Sequence, residues 1–277
     1  MNRRRCIKLL ASASAALALG GTGYGFYEAV HVRVERPTVT LSRLPKTFDG
    51  LRVAFLSDIL HGPYTEADHL TTIVRTTRML DPDLILLGGD YALRDRRHIG
   101  PCFAELGKLR APLGVFGVLG THDYRLGVDE TRAEMDRAKI VELTNAGVNL
   151  KRGEDRFWLA GVDDMEAGRP ELNDALRGIP YGDACVLLSH NPAFADTIQG
   201  NRVDLVLSGA THGGQVRLPL VGSPWLYSET DRKYRAGLVQ APETRVYVSR
   251  GLGVSGLPVR FHCRPELTLL TLRSPVA

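Results

Sequence analysis

The chain has 277 residues, of which 44% are hydrophobic and 24% charged, and this composition excludes a disordered or fibrous protein and fits one large globular domain. The formal net charge is only +4, and basic residues are concentrated in the first 36 positions, so the remainder is closer to neutral. Bulk charge therefore gives no support to nucleic-acid binding, and no nucleic-acid partner is expected.

The N-terminal segment, residues 1–36, is predicted to be an export signal or membrane anchor followed by a connector. Its basic start precedes an apolar run from Leu9 to Tyr27, and Arg4-Arg5 resembles the twin-arginine consensus for export of folded proteins. Ala16-Leu17-Ala18 offers a cleavage site, while the run is also near the shortest length that spans a membrane. We expect an exported domain, either periplasmic or anchored in the inner membrane facing the periplasm, and both alternatives stay open.

The elements that follow alternate between apolar strands and helices. Strands are predicted at Leu51–Ser57, Leu84–Leu87, Leu113–Leu119, Phe157–Val162, Ala184–Ser189, Leu205–Ser208, Arg245–Ser249 and Leu267–Leu272, and helices at Ala67–Leu80 and Ile99–Leu109. The order strand, helix, strand is typical of a parallel crossover unit, and the last two strands are predicted to be alternating strands of two packed sheets. Residues 37–277 are therefore predicted to form one α/β domain.

Three cysteines lie in this domain, Cys102, Cys185 and Cys263, each of them single in an apolar segment. Three thiols cannot all pair with one another. The pattern favours buried free cysteines over a disulfide framework.

Side chains able to bind metal or carry a proton follow the apolar strands. They are Asp58, Asp90, His122, Asp123, His190 and His212, and each lies within three residues of a Gly or Ser. Open α/β sheets place their sites at the carboxyl ends of strands, so these side chains are expected to converge. Carboxylate and imidazole groups at such an edge suit a divalent metal that activates water and neutralises phosphate charge.

Five ordered motifs resemble those of the calcineurin-like metallophosphoesterases, specifically bacterial membrane-associated phosphodiesterases. They are Ser57-Asp58-Ile59-Leu60-His61-Gly62-Pro63, Gly89-Asp90-Tyr91, Gly120-Thr121-His122-Asp123-Tyr124, Leu188-Ser189-His190-Asn191-Pro192 and Ser208-Gly209-Ala210-Thr211-His212-Gly213-Gly214-Gln215. The resemblance runs from about Leu51 to Leu272 and implies a four-layer α/β/β/α sandwich of two mixed sheets flanked by helices. It also implies metal-dependent hydrolysis of a phosphoester, either a phosphodiester or a lipid-linked phosphate at the membrane.

The resemblance implies two divalent ions of Mn, Fe, Zn or Mg, held by ligands that this chain retains only in part. For the first ion it retains Asp58, Asp90 and His212, but Leu60 stands where the family has His. These three donors would suit one partly open mononuclear site.

For the second ion the chain keeps Asp90 and His190, but Thr121 stands where the family has Asn and Ala210 where it has His. Leu and Ala side chains have no donor atom, and a Thr hydroxyl is a poor neutral ligand. One bound ion or none is therefore expected.

Two further histidines in the motifs have predicted roles. His61 adjoins the position of Leu60 and would rescue the lost ligand only if the loop shifted by one residue, because neighbouring side chains of an extended segment point to opposite sides. By the resemblance, His122 is the general acid for the leaving group and Asp123 orients it.

The leading expectation is a phosphoesterase scaffold whose hydrolysis is weak or absent, because a two-metal mechanism loses nucleophile activation and charge neutralisation together. Two alternatives stay open. One is an active phosphodiesterase with one metal, and the other is a non-catalytic module that binds a phosphorylated ligand or a protein at the membrane.

Overall fold

The computed structural model describes residues 21–224, 226 and 228–275. Most of the predicted export signal, residues 1–20, lies outside the described residues. Residues 21–30 are helical. Nowhere in the described part is there a helix with the length and apolar character needed to cross a bilayer.

The described residues form two mixed sheets. The first contains β1 (Arg33–Glu35), β2 (Thr38–Thr40), β3 (Leu51–Leu56), β4 (Leu84–Leu87), β5 (Val115–Gly117), β6 (Val141–Glu142) and, from the C-terminal end, β13 (Glu266–Arg273). Its order is β1-β13-β3-β4-β5-β6, with β2 also paired to β13. Strands β3 to β6 are parallel, and β13 runs antiparallel to β3.

The second sheet contains β7 (Ala146–Arg152), β8 (Asp155–Gly161), β9 (Cys185–Leu188), β10 (Leu205–Ser208), β11 (Gly237–Gln240) and β12 (Arg245–Val248). Its order is β11-β12-β10-β9-β8-β7. The inner strands are parallel, whereas β11 and β7 pair antiparallel at the two edges.

The helices are α1 (Ala67–Met79), α2 (Ile99–Leu106), α3 (Thr121–Arg137), α4 (Leu172–Ala175) and α5 (Glu229–Lys233), with short 3-10 turns at Lys46–Phe48, Arg96–His98, Pro192–Thr197 and His212–Gly214. Helix α1 forms because Leu70, Ile73, Val74 and Thr77 recur at helical spacing and are all buried. Its exposed face carries the polar residues.

Alternating side chains distribute the core between layers. On β3, Val53 and Phe55 pack between the two sheets, whereas Ala54 and Leu56 pack beneath the helices of the first sheet. A further apolar cluster covers the outer face of the second sheet and includes Leu187 of β9. The predicted four-layer sandwich is confirmed.

Several local expectations differ from the structure. Strand β1 pairs with β13, so the sheet begins before residue 37, where the domain was predicted to start. Strand β13 is buried almost throughout instead of alternating, because it lies inside the first sheet between β1 and β3. Helix α3, which begins at Thr121 within the third motif, was not predicted. Cys102, Cys185 and Cys263 are free and buried, as predicted.

Candidate metal centre

The candidate centre lies where strands of both sheets end. Asp58 and Asp90 follow β3 and β4 of the first sheet, and His190 follows β9 of the second. One ligand atom from each lies within 4.8 Å of the other two, and all three side chains are buried. In the described part of the chain, this is the group of acidic, His and Cys side chains that could hold a metal ion.

The backbone around these residues is unusual, because Asp58, Asp90 and His212 all have positive φ angles of 50–58°. Such angles are uncommon for residues with a Cβ and cluster at functional sites. Two glycines let the loops approach so closely. A Cβ at Gly209 would lie 2.2 Å from Asp58 Oδ2, and one at Gly120 would lie 2.4 Å from Asp90 Oδ1.

His190 is fixed with one ring nitrogen available for metal. Its Nδ1 donates to the Gly88 carbonyl at 2.7 Å, so Nε2 is the ring nitrogen that faces the centre, 3.4 Å from Asp90 Oδ2. Burial would lower the pKa of His190, but the carboxylates of Asp90 and Asp58 raise it well above its ordinary value. Burial would likewise raise the pKa of Asp90, yet His190 and His122 hold it well below its usual range.

His212 lies on the other side of Asp58 and outside this closest group. Its Nε2 is 3.7 Å from Asp58 Oδ1, and its buried Nδ1 has no hydrogen-bond partner among the described residues. The sequence groups His212 with Asp58 and Asp90 for one ion and His190 with Asp90 for the other, and in the structure the group of donor atoms within 4.8 Å of one another contains His190. The reason is tertiary, because the Gly88 carbonyl at the end of β4 holds the His190 ring beside Asp90.

His122 is held by Asp90 and not by Asp123, which corrects the expected orientation. His122 lies in the first turn of α3, where its backbone N–H donates to Asp90 Oδ1 and its Nδ1 bonds Asp90 Oδ2, both at 2.7 Å. The pKa of His122 is raised, chiefly by the second of these bonds.

Asp123 instead holds the loops together. It accepts backbone N–H bonds from Asp90, Tyr91 and Gly120 at 2.8–3.0 Å. Burial and the nearby charge of Asp90 raise the pKa of Asp123 to about 7, against the lowering by those three bonds. Its contacts are therefore those of a positioning residue.

The positions where ligands were expected lie around the same centre. Leu60 is fully buried, and Ala210 donates its backbone N–H to Asp58 at 3.0 Å. The Thr121 hydroxyl donates to both oxygens of Asp164, at 3.1 and 3.2 Å. The Leu60 and Ala210 side chains have no donor atom for a cation, and the Thr121 hydroxyl is directed towards Asp164.

His61 is also committed elsewhere, so the structure does not bring it to the centre as a substitute ligand. Its Nδ1 bonds the Thr65 carbonyl at 2.8 Å, and its ring packs edge-on against His98. The group of close donor atoms does not include it.

Sequence reasoning missed Asp163 and Asp164, which follow β8. Asp164 is fully buried and accepts the Thr121 hydroxyl, and Asp163 accepts hydrogen bonds from the Tyr124 hydroxyl and the Arg169 backbone. The signal was available, since two adjacent carboxylates follow an apolar strand just as Asp58 does.

The donor set fits a divalent cation. Two carboxylates and one imidazole, all close together and buried, leave coordination positions open for water or substrate. A cleft of about 240 Å³ opens beside the centre and is lined by residues that follow β9 and β10, among them Asn191, Ala210 and His212.

Comparison with known proteins gives consistent matches. The family model described as calcineurin-like phosphoesterase matches residues 51–214. The chain is 33% identical to an uncharacterised metallophosphoesterase, YkuE, of Bacillus subtilis, over 99% of this chain and 98% of the relative. It is 30% identical to the phosphodiesterase YaeI of Escherichia coli, over 98% of this chain and 99% of the relative.

A solved structure that matches is the 5'-nucleotidase precursor of Thermus thermophilus. Its TM-score is 0.49 at 14% identity, and the match covers 80% of this chain and 54% of that one.

Proposed function

The chain belongs to the calcineurin-like phosphoesterase family, and on that premise we propose that it is a phosphodiesterase that uses a single divalent cation and turns over slowly. The observation that carries the proposal is the close group Asp58, Asp90 and His190, beside side chains that offer no second ligand set. Manganese, iron, zinc and magnesium all remain candidates for the ion.

In the proposed mechanism Asp58, Asp90 and His190 Nε2 would hold the cation, and His212 lies beside Asp58. A divalent cation bound there would neutralise phosphate charge and lower the pKa of water. The buried position of the carboxylates supports this role, because buried charges are costly unless they are paired or coordinate a metal.

His122 supplies the proton. Because its Nδ1 is bound to Asp90, the proton on Nε2 is the one available to the oxygen of the leaving group. The hydrogen bond to Asp90 raises the pKa of His122, which favours the protonated ring. Asp123 acts indirectly, because its hydrogen bonds attach the start of α3 to the loop that contains Asp90.

Slow turnover follows from the missing donors at Leu60, Thr121 and Ala210. Loss of the second cation removes part of the charge stabilisation in the transition state. We expect a loss of at least about two orders of magnitude in rate relative to a chain with a complete site.

We further propose that the substrate is a phosphoester or a lipid phosphate met at a membrane, and that the protein is exported and works on the periplasmic side. The sequence of residues 1–27 supports this part of the proposal, because a basic start precedes an apolar run.

The test restores the three donor types with Leu60→His, Thr121→Asn and Ala210→His in one chain. Bound metal is measured by plasma mass spectrometry, and hydrolysis of bis(p-nitrophenyl) phosphate is measured with added manganese. We expect one ion in the wild type, two in the triple variant, and a rate increase of about a hundredfold or more.

His122→Ala in both backgrounds is the matched control, since it should abolish turnover and leave the bound metal unchanged. Two ions and rapid turnover in the wild type would refute the proposal. A wild type with no metal and no turnover would point to a binding protein instead.

A further inference from the structure

An exposed apolar hairpin lies close to the cleft. Leu218 and Gly222 pair with each other through both backbone N–H groups, at 2.8 and 2.9 Å, and residues 218–222 form the hairpin. At its tip Leu220 is fully exposed and Val221 is 74% exposed. Soluble proteins seldom leave neighbouring large apolar side chains at the tip of a loop without a partner.

The N-terminal helical segment, residues 21–30, presents a second apolar surface. Tyr24, Phe26, Tyr27 and Val30 are all exposed. The segment is nevertheless fixed to the domain, because the Arg260 backbone N–H donates to its Gly25 carbonyl at 3.0 Å. Its exposed aromatic side chains are therefore held in place.

Phe26 of the helical segment and Leu218 of the hairpin border the same apolar cavity of about 580 Å³. Its lining comes from the helical segment, from the start of the hairpin with the residues before it, and from a C-terminal loop: Gly21, Thr22, Gly25, Phe26, Val216, Leu218, Leu257, Pro258, Val259 and Phe261. The lining carries no charged side chain. Hydrocarbon is the matching occupant for such a space.

The apolar cavity and the cleft of the metal centre share their walls. Gln215 and Ser255 line the cleft, and residues farther along the same two segments, Val216 and Leu257, line the apolar cavity. The Gln215 amide fastens the two segments together, because it donates to the Ser255 and Leu257 carbonyls at 2.8 and 3.0 Å. An occupant of the apolar cavity would therefore lie next to the cleft.

The sequence around this surface identifies the occupant as a bilayer. Residues 9–20, which directly precede the helical segment, contain no charged residue, and Arg3, Arg4, Arg5 and Lys8 precede them. Apolar side chains with Tyr beside them and basic residues nearby suit the interface of an anionic membrane. The hairpin itself has no charged residue, and Arg217 precedes it.

We infer that the apolar hairpin and the exposed face of residues 21–30 insert into the interface of an anionic lipid bilayer, which opens the cleft onto the phosphoesters of lipid headgroups. The headgroup part of this inference rests on the proposed function, whereas the bilayer contact does not. The contact would let a substrate leave its hydrocarbon in the membrane while its phosphate enters the cleft.

The test places an environment-sensitive fluorophore on single cysteines of the full chain. All variants carry Cys6→Ser, and Cys102, Cys185 and Cys263 are buried and protected from labelling. The probe positions are Val221→Cys at the hairpin, Thr230→Cys at the cleft rim and Met79→Cys, which is 78% exposed at the end of α1, as a control matched to Val221 in exposure. The vesicles contain phosphatidylethanolamine and phosphatidylglycerol, with quenchers on the acyl chain or on the headgroup.

When vesicles are added, we expect the emission of the probe at position 221 to shift to the blue and to be quenched by the acyl-chain quencher. The probe at position 230 should be quenched by the headgroup quencher. The probe at position 79 should show neither change. No change at 221 would overturn the bilayer contact. A blue-shifted probe at 221 without lipid would also overturn it, since the chain's own residues would then cover the hairpin. An unquenched probe at 230 would overturn the headgroup part.

Charged substitutions complete the experiment. Leu220→Glu with Val221→Glu should weaken vesicle binding about tenfold or more, while Met79→Glu should not change it. Hydrolysis of bis(p-nitrophenyl) phosphate without vesicles should be unaltered by either change and reports on the proposed function alone. A double variant that loses this soluble activity, or whose oligomeric state differs from that of the wild type, would overturn the inference.

Discussion

Asp90 links the parts of the candidate centre at the scale of single residues. One oxygen accepts the backbone N–H of His122, and the other bonds the His122 ring and faces His190. The same carboxylate thus contributes to the cation site and orients the proposed acid. A substitution at Asp90 should therefore impair both functions and cannot separate them.

His190 and His61 offer a sharper comparison, since both are buried and each bonds a backbone carbonyl through Nδ1. We predict that His190→Ala abolishes stoichiometric metal binding, because it removes one of three close donors, and that His61→Ala leaves it intact. Titration calorimetry with manganese measures both, with circular dichroism to confirm that each variant is folded. Loss of manganese binding in His61→Ala, with binding kept in His190→Ala, would show that the loop shifts by one residue and that His61 is a ligand.

At the scale of elements, Asp196 helps to hold one wall of the cleft in place. Helix α5 and Tyr234, which follows it, line or flank the cleft, and they dock on the Pro192–Thr197 turn through Asp196. Asp196 accepts from Lys233 Nζ at 2.7 Å and from the Tyr234 hydroxyl at 2.6 Å. This wall shares the turn that directly follows His190 and Asn191, so its position affects the centre.

The docking should depend on Asp196 and on pH. Burial would raise the pKa of Asp196, but the hydrogen bonds from Lys233 and Tyr234 lower it below the ordinary 3.8. A carboxyl with a lowered pKa stabilises the folded state above its ordinary pKa, and that contribution is lost as the pH falls through the lowered value.

We predict that Asp196→Ala accelerates amide hydrogen exchange in residues 229–234 by about threefold at neutral pH, a modest effect because the ion pair is partly exposed. The difference between wild type and variant should disappear in acid, below the lowered pKa. Asp174→Ala, which breaks an exposed pair with Arg177, is the control and should leave these amides unchanged. Equal exchange in Asp196→Ala and wild type at neutral pH would contradict the prediction.

At the scale of the whole molecule, we expect the fold to be independent of the proposed cation. In the described part of the chain, one apolar cluster lies between the sheets and one lies on the outer face of each. The burial of the apolar side chains in these three clusters is the dominant favourable contribution to the folding free energy. The centre itself is held by backbone bonds such as those to Asp123, which need no metal.

We therefore predict that chelation lowers the melting temperature without unfolding the protein. At a cation concentration about 100 times the Kd, binding stabilises the folded state by about 2.7 kcal/mol, which corresponds to roughly 5–10 °C for a chain of this size. Calorimetry with and without EDTA measures the shift, and His190→Ala should show none. Loss of far-ultraviolet circular dichroism on chelation at 25 °C would contradict the prediction.

The sequence by itself determined the family, the layers of the fold and the loops that form the centre. Apolar strands such as Leu84–Leu87 and the residues directly after them are local signals, because hydrophobic periodicity and chain order are both properties of the linear sequence. The free buried cysteines followed from the same local pattern.

Only the tertiary structure decided which side chains meet. That His190 joins Asp58 and Asp90 depends on a carbonyl at the end of β4, 102 residues away along the chain. That Asp90 and not Asp123 holds His122 depends on loops with positive φ at Asp90 and on the start of α3. The tertiary structure also brings residues 21–30 and the apolar hairpin to the border of one cavity, and the sequence does not predict this because contacts between distant segments leave no periodic signal.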